Sequence, residues 1–280
     1  MLSYRHAFHA GNHADVLKHA VLAFMLDYFN QKDKPYWVID THAGAGCYQL
    51  DTGFAAKNAE YESGIARLWD RDDLPAMLKR YVELVRATNP DGGRKLYPGS
   101  PLIAWHILRA DDRLRLFELH PTDIKFLQQT FDGAGRRVQI QQADGFAGLK
   151  ALLPPPPRRA LVLIDPPYEV KEDYRHVITA LKDALQRFAT GTYAIWYPQL
   201  QRHEVPTMLE HLKKLPVKDW LHVALDVNTP SPDGFGMHGS GLFILNPPWT
   251  LYAALQETMP WLVQALGGEG ANYTLEKSEG

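Results

Sequence analysis

The first apolar residues of the chain recur at a helical period and predict a helix over about residues 14–29. Four of them share one face at the spacing i, i+4, i+7, i+11: Leu17, Val21, Phe24 and Tyr28. Asn12 or His13 stands at the capping position. The apolar run 36–39 then predicts a strand, which opens into the turn Asp-Thr-His-Ala-Gly-Ala-Gly at 40–46. A strand followed by such a turn is typical of the first unit of a nucleotide-binding α/β fold.

Residues 48–97 interrupt this unit, because a helix is expected directly after the glycine-containing turn. Apolar residues of this segment recur at helical spacing among polar ones, and the breaker run Asn-Pro-Asp-Gly-Gly follows at 89–93. We interpret 48–97 as an inserted helical subdomain. The delayed helix is predicted to have Ser100 as its N-cap and Pro101 at its first position, and to run to Leu108.

After the insertion, strands and helices alternate, which predicts a doubly wound α/β sheet. The predicted strands are 114–118, 138–141, 161–164 and 193–197, and the predicted helices are 122–131, 146–152, 174–188 and 205–215. An antiparallel pair, 221–227 and 241–245, is expected to close the sheet, and the tail after Leu266 is expected to be poorly ordered. The predicted units are a flap with the first helix and strand (1–47), the insertion (48–97), the rest of the main domain (98–266) and a flexible tail (267–280).

Composition narrows the class of protein. Apolar residues make up 45% and charged residues 22% of the 280 positions, near the globular average, which excludes a disordered chain, a coiled coil and a collagen-like fibre. Cys47 is the single cysteine, so an intrachain disulfide framework and a cysteine-based zinc site are excluded. The sequence has a polar N-terminus and no apolar run of about 18 residues, so we expect a cytoplasmic protein that does not enter a membrane.

The charge balance limits how the chain can meet nucleic acid. It has 30 Lys and Arg against 32 Asp and Glu, a formal net charge of −2, whereas proteins that bind nucleic acid through bulk charge are usually strongly basic. Any such contact must come from a local patch. The candidate phosphate contacts, each of which alone is more often a solvated face, are Arg136-Arg137, Arg158-Arg159, Arg202 and Lys213-Lys214.

The tetrapeptide Asp165-Pro166-Pro167-Tyr168 directly follows the apolar strand 161–164 and is the most specific chemical signal in the sequence. A plain strand-ending turn would also explain it, since proline pairs break strands. Its position at the carboxyl end of a predicted central strand, after a glycine-containing first turn, favours a functional site.

These residue types suit the methylation of an exocyclic amine on a nucleobase. Such an amine is a poor nucleophile because its lone pair is conjugated into the ring. Asp165 and a backbone carbonyl can accept hydrogen bonds from the amine and bias its nitrogen towards a tetrahedral form, and Asp165 can take up the released proton. Prolines, Pro166 among them, hold that carbonyl stiffly without a competing N–H donor, and Tyr168 is expected to give the base a stacking surface.

A second motif of the same form, Asn246-Pro247-Pro248-Trp249, also follows an apolar strand. By strand count, Asp165 ends the fourth strand, which neighbours the first in methyltransferases of this fold, whereas the last two strands are expected at one edge. We therefore place the active site at Asp165 and interpret Asn246 as structural. Whether Trp249 lines a substrate rim stays open.

Further candidate residues lie at the ends of the other strands. The turn 40–46 lacks the third glycine of a dinucleotide fingerprint, which argues against an NAD enzyme, but it lets the backbone approach the methionyl part of S-adenosylmethionine. Asp40 can face the amino group of that ligand, and the helix start at Ser100 suits its carboxylate. Glu118 can bind the ribose hydroxyls, and Asp144, before Gly145, can accept the adenine amine.

The histidine-rich N-terminus has three interpretations. His6, His9 and His13 could form a metal site, although their spacing matches no standard pattern, and we expect none. The segment could instead be a capped, solvated helix start. In the favoured interpretation it is a flap over substrate and cofactor, with these residues closing over the site: Tyr4, Arg5, His6, Lys18 and His19.

Seven motifs together closely resemble the RlmJ family, whose members are 23S ribosomal RNA adenine-N6 methyltransferases dependent on S-adenosylmethionine. They are YRHAFHAGNHADVLKH, DTHAGAG, YPGSP, ELHP, ADGF, LIDPPYE and NPPW, and the similarity is weakest in 48–97 and 267–280. The resemblance implies a Rossmann-like methyltransferase fold with a small helical insertion. It also implies that the target adenine is turned out of its stack, in rRNA that is protein-free or at an early stage of assembly.

The resemblance assigns residues to roles by motif. At the cofactor or its reaction centre it places His19, His42, Ser100, Glu118, Asp144, Gly145 and Asp165. Asp165 would be catalytic, Tyr4 would meet the RNA and Lys18 would lie close to the site, and we group His6 with them as an RNA contact. No obligate protein partner is expected.

Three alternatives stay open at this point. A DNA adenine-N6 methyltransferase would normally carry a recognition domain larger than the 48–97 insertion. A protein-glutamine methyltransferase is disfavoured because Asp165 stands where such enzymes carry Asn. From another class, the chain could bind cofactor or RNA without catalysis, which binding without turnover would support.

Overall fold

The computed structural model describes residues 6–51 and 59–279, and a mixed sheet of eight strands forms its centre. The strands in these ranges are β1 (Trp37–Asp40), β2 (Cys47–Gln49), β3 (Leu96–Pro98), β4 (Arg113–Phe117), β5 (Val138–Gln141), β6 (Ala160–Ile164), β7 (Thr192–Gln199), β8 (Trp220–Asp226), β9 (Gly239–Leu245) and β10 (Asn272–Lys277). The large sheet has the order β10-β8-β9-β7-β6-β1-β4-β5, while β2 and β3 form a separate ribbon.

Strand direction divides the sheet into two parts. From β5 to β7 all neighbouring strands are parallel, so their carboxyl ends meet at one edge. Strand β9 runs antiparallel to both β7 and β8, and β10 runs antiparallel to β8. The central strand β6 is buried along its whole length, as expected for a parallel strand covered on both faces.

Nine helices connect the strands of the described ranges. They are α1 (His13–Asn30), α2 (Ala66–Trp69), α3 (Ala76–Ala87), α4 (Ser100–Ile107), α5 (Asp123–Thr130), α6 (Gly145–Leu152), α7 (Glu172–Arg187), α8 (Glu204–Lys213) and α9 (Leu251–Leu266). Chain order runs outward from β1 to β5 and then from β6 towards β8, so right-handed crossovers put α4 and α5 on one face and α6, α7 and α8 on the other. Helix α1 packs against α3, α4 and β9.

The predicted doubly wound α/β sheet is confirmed, with all predicted strands and helices of the main domain present. Three expectations are corrected. Gly99, not Ser100, is the N-cap of α4, because Ser100 already lies in its first turn. Neither β8 nor β9 is an edge strand, because β10 pairs along β8. Residues 272–277 are therefore a strand and not part of a poorly ordered tail. In addition, the long helix α9 was not predicted from the sequence.

The start of the 59–97 segment is fixed against the N-terminal helix. The Ile65 N–H donates to the Gly11 carbonyl at 2.8 Å, and Gly64 lies so close that a Cβ there would stand 2.1 Å from that carbonyl oxygen. Glu60 accepts hydrogen bonds from the side chains of His9 and Asn12. The segment contains the expected helices, and the ribbon of β2 and β3 pairs its two ends with each other. The division into domains stays a prediction.

Among the helices of 6–51 and 59–279, none is both long and apolar enough to span a bilayer.

Candidate active site

A cavity of about 270 Å³ opens where the carboxyl ends of β1, β4, β5 and β6 meet. All the cofactor residues that the family resemblance assigns line it: His19, His42, Ser100, Glu118, Asp144, Gly145 and Asp165. Its size is near the lower end of the range for small-molecule sites. Parallel strand order brings these residues together although they are separated by up to 146 positions in the chain.

Two glycines leave room for this cavity. Gly44 has a φ of +61°, and a Cβ there would stand 2.3 Å from the Tyr48 hydroxyl. Gly145 begins α6 so close to β1 that a Cβ would stand 2.0 Å from the Thr41 carbonyl oxygen. Any larger residue at either position would push the turn after β1 out of place.

Asp165 lies at the mouth of this cavity, with its side chain 14% exposed. The Lys18 ammonium donates to its Oδ2 at 2.8 Å and lies 3.0 Å from Asp15. Burial would raise the pKa of Asp15, but the neighbouring His6, Lys18 and His19 hold it well below its usual value. One buried ammonium group therefore joins two carboxylates and fixes the position of Asp165.

Asp15 is a site residue that the sequence analysis missed. It lies three and four positions before Lys18 and His19, a spacing that puts the three side chains on one helical face, so this signal was available. Asp15 also accepts a hydrogen bond from the Gly11 N–H at 2.9 Å and lies 2.9 Å from His6 Nε2. It therefore ties the start of α1 to the Asp165 carboxylate through Lys18.

The two histidines of the cavity are held in fixed orientations. His19 Nδ1 shares a hydrogen bond of 2.7 Å with the Tyr97 hydroxyl, and burial lowers the pKa of His19 to about 3. His42 Nδ1 lies 2.8 Å from the Thr41 hydroxyl, and burial lowers the pKa of His42 to about 4. Both rings are therefore neutral at neutral pH. Tyr97 and Thr41, which orient them, were not identified from the sequence.

Asp40 does not line the cavity, which corrects the expectation that it faces the ligand. Its Oδ2 accepts a hydrogen bond from the Ser100 hydroxyl at 2.6 Å, and its Oδ1 accepts the His42 N–H at 3.2 Å. Burial raises the pKa of Asp40 to about 6. Asp40 therefore bonds both to the turn after β1 and to the start of α4, and it holds these two segments together.

Glu118 and Asp144 line the cavity from the two outer parallel strands. Glu118 accepts the Gly44 N–H at 2.8 Å and the His120 N–H at 2.6 Å, and burial raises its pKa. Asp144 caps α6 by accepting the Phe146 N–H at 2.9 Å. Because a carboxylate can accept about four hydrogen bonds, both can also bind ligand hydroxyls or amines.

A second cavity, of about 190 Å³, meets the first at Asp165. Four residues line both cavities, namely His6, Lys18, Asp165 and Pro167. The second cavity is also walled by Trp196 and Pro198 of β7, and by Leu200 and Met237. The Asp165 carboxylate thus lies where the two cavities meet.

Tyr168 does not offer the stacking surface that was expected of it. Its side chain is only 2% exposed, its hydroxyl donates to the Trp196 carbonyl at 2.7 Å, and its ring packs 4.6 Å from Tyr174. Tyr168 lines neither cavity. Its buried side chain therefore holds the motif against β7 and does not contact a ligand. The aromatic ring beside Asp165 in the second cavity is Trp196, which the sequence analysis did not name.

The residues assigned to RNA differ in their placement. Tyr4 and Arg5 of the expected flap lie outside the described residues. Lys18 is 4% exposed and can contact only what enters the cavities, while His6 lines both.

The histidines of the N-terminal segment do not share one partner. His6 pairs with Asp15, and His9 pairs with Glu60. In 6–51 and 59–279 no three metal-binding side chains converge on one point.

Asn246 lies at the edge of the sheet opposite to Asp165. Leu245 pairs with Tyr193 at the start of β7, so the motif that follows it stands at the amino ends of the parallel strands. The Asn246 side chain donates to the Ala189 and Gly191 carbonyls at 2.9 and 2.7 Å, which agrees with a structural role. Trp249 therefore does not line the rim of the cavities.

The basic runs are spread over the surface. Arg159 and Arg137 donate to backbone carbonyls at the amino edge, and Lys213 pairs with Glu276. Arg202 lies at the carboxyl edge, with its guanidinium 3.4 Å from the Tyr168 carbonyl oxygen. Arg202 lies two positions after Leu200, which lines the second cavity.

The similarity to known proteins extends over almost the whole chain. A family model described as "RsmJ: Ribosomal RNA large subunit methyltransferase D, RlmJ" matches residues 33–277. The chain is 47% identical to "Ribosomal RNA large subunit methyltransferase J" of Escherichia coli (strain K12) over 273 residues, covering 98% of this chain and 97% of that protein. It is 46% identical over 279 residues to the protein of the same name from Haemophilus influenzae, covering 99% and 98%.

A solved structure shares this fold. The crystal structure of protein LPL1258 from Legionella pneumophila has a TM-score of 0.88 and 37% sequence identity, and the match covers 96% of this chain and 98% of that chain. The strand order, the cavity at the carboxyl edge and these similarities lead to one assignment. The chain belongs to the RlmJ family and is a methyltransferase with a Rossmann-like fold.

Proposed function

We propose that this enzyme transfers a methyl group from S-adenosylmethionine to the exocyclic N6 of an adenine in 23S rRNA, with the base turned out of its stack. The observation that carries the proposal is the position of Asp165 between the two cavities. One carboxylate then faces both a space for the cofactor and a space for a base, which direct transfer between them requires.

The residues of the larger cavity fit S-adenosylmethionine. At Gly44 and Gly145 a side chain would collide with the Tyr48 hydroxyl and the Thr41 carbonyl, so both glycines keep the turn after β1 in its place along the cavity. The start of α4 at Ser100 suits a carboxylate group. Glu118 would bind the ribose hydroxyls and Asp144 the adenine amine, with the neutral His19 and His42 completing the walls. When bound, the cofactor supplies an electrophilic methyl group on a sulfonium sulfur.

The chain's own residues then position the nucleophile. Asp165 and the Pro166 carbonyl accept hydrogen bonds from the N6 amine, which localises the lone pair on nitrogen, and Asp165 takes up the proton that is released. Lys18 and Asp15 hold the carboxylate in place for this step. Pro166 and Pro167 limit the motion of the backbone beside it.

The names of the relatives support rRNA as the substrate class. Both curated relatives are called ribosomal RNA large subunit methyltransferase J, which favours RNA over DNA. We propose protein-free 23S rRNA or an early assembly intermediate as the partner. The proposed RNA contacts remain Tyr4, His6 and Lys18. Of these, Lys18 would contact the RNA from within the cavity.

The test uses purified protein, methyl-labelled S-adenosylmethionine and deproteinised rRNA from cells that lack this gene, with matched DNA in parallel. After digestion to nucleosides, we expect the label in N6-methyladenosine from RNA alone. Label in DNA would support a DNA methyltransferase. Cofactor binding without label in either substrate would support a non-catalytic binder, and either result would overturn the proposal.

A further inference from the structure

The loop between β8 and β9, residues 227–238, carries a strongly exposed aromatic ring. Phe235 is 80% exposed. It stands between Gly234 and Gly236, whose φ angles are +79° and +89°, and a Cβ at either glycine would meet no atom within 4 Å. The backbone around the ring is therefore open on both sides, which leaves space for a flat partner.

The loop is anchored at the edge of the sheet that carries Asp165. The Val227 N–H donates to the His238 carbonyl at 2.8 Å and closes the base of the loop, while the His238 N–H donates to the Gln199 carbonyl at the end of β7. Near the tip, Asp233 accepts the Phe235 N–H at 3.0 Å and fixes the turn from which the ring projects. The loop is thus tied to the strand beside β6.

The same loop also forms part of the second cavity. Met237, two positions after Phe235, lines it together with Trp196 and Asp165. Arg202 lies on the neighbouring segment after β7, two positions after Leu200, which also lines this cavity. The loop that carries Phe235 and the segment that carries Arg202 therefore each contribute a residue to the space in which the target base would lie.

We propose that Phe235 stacks on a nucleobase adjacent to the target adenine in the RNA substrate. This inference rests on the proposed function. A base that leaves its stack exposes the face of its neighbour, and an aromatic side chain can cover that face whatever the base, because every base has a π face. Phe carries no hydrogen-bonding group, so it positions the RNA without reading its sequence.

The test compares four variants of the full chain with the wild type: Phe235→Ala, Phe235→Leu, Phe235→Trp and Trp249→Ala. Trp249 is a matched control, since it is 82% exposed but lies at the opposite edge of the sheet. Methyl transfer to deproteinised rRNA gives KM and kcat, and titration with S-adenosylmethionine alone gives cofactor affinity.

We expect Phe235→Ala to raise KM for RNA about tenfold with kcat and cofactor affinity unchanged, because stacking holds the substrate equally in the ground and transition states. Phe235→Trp should keep the wild-type KM, Phe235→Leu should not, and Trp249→Ala should have no effect. An unchanged KM in Phe235→Ala, full activity in Phe235→Leu, or an equal loss in Trp249→Ala would overturn the inference. A wild type inactive on RNA would overturn the proposed function itself, and this inference with it.

Discussion

Asp165 shares a single ammonium group with Asp15, and this sharing sets the charge at the reaction centre. In formal charges, one ammonium group stands against two carboxylates beside the cavity. His19 and His42 add no positive charge at neutral pH, because burial lowers the pKa of both rings. Since Glu118 and Asp144 also line the cavity, the site suits a ligand with a positive charge at its centre, as a sulfonium has.

Replacing Asp165 separates binding from catalysis. Asp165→Asn should lower turnover about 10²- to 10⁴-fold, because the amide cannot accept the proton, while Lys18 stays paired with Asp15 and the fold is kept. Methyl-transfer rates and a cofactor titration measure the two effects. Asn246→Ala is the control, since it removes two hydrogen bonds at the opposite edge and should lower stability without changing turnover. Lost cofactor binding with residual turnover in Asp165→Asn would contradict this role.

Asp40 should make folding depend on pH between about 4 and 6. Its pKa is raised from 3.8 to about 6, so the folded state binds the proton more tightly, and stability falls as pH rises through this window. The loss is on the order of 3 kcal/mol. Asp40→Asn can still bond Ser100 and the His42 N–H, so its stability relative to the wild type should increase from pH 4 to 6 and then level off. Urea unfolding at several pH values measures this, and a constant difference would refute it.

At the scale of elements, the sequence predicted the site residues at the strand ends but not the residues that hold them in position. Asp165, Glu118 and Asp144 were identified because each stands at or shortly after the end of a predicted strand. Thr41 and Tyr97 were missed, since their roles depend on contacts with His42 and His19 that are visible only after folding. The burial of Tyr168 likewise depends on packing against distant residues of β7 and α7.

Two elements near the C-terminus show why local pattern was insufficient there. Helix α9 contains Pro260, a residue that disfavours helix interiors, yet it packs against β8 and β10. Strand β10 follows a glycine-rich stretch, and none of its residues is fully buried, so its own sequence signals a loop. Its partner β8 lies about fifty residues earlier, and pairing between them stabilises both.

Removal of β10 should destabilise the sheet. Deleting residues 272–280 exposes the backbone of β8 as an open edge and removes the antiparallel ladder between the two strands. Six residue pairs are lost, so at about 1 kcal/mol per lost hydrogen bond the melting temperature should fall by on the order of 10–20 °C. Deletion of residues 279–280 alone is the control. Equal melting temperatures for the two truncations would show that β10 contributes nothing to the sheet.

At the scale of the molecule, the net charge of −2 predicts a weak dependence of RNA binding on salt. With only a local patch of roughly three phosphate contacts, KM for RNA should rise about 20- to 40-fold between 50 and 200 mM salt, because few counterions are released. Kinetics over a KCl series measure the slope. A rise of about a thousandfold would indicate an extended phosphate-binding surface and contradict the expectation.

The direction of β10 determines which terminus of the protein is suited to the attachment of a tag or a surface linker. Lys277 pairs with Leu221 and the Ser278 N–H donates to the Trp220 carbonyl, so the chain leaves the sheet at the amino edge, away from Asp165. A tag or surface linker attached after residue 279 would leave both cavities facing solution. The enzyme can therefore be immobilised through its C-terminus for single-molecule observation of long RNA, whereas an N-terminal linker would sit beside the cavity that His6 lines.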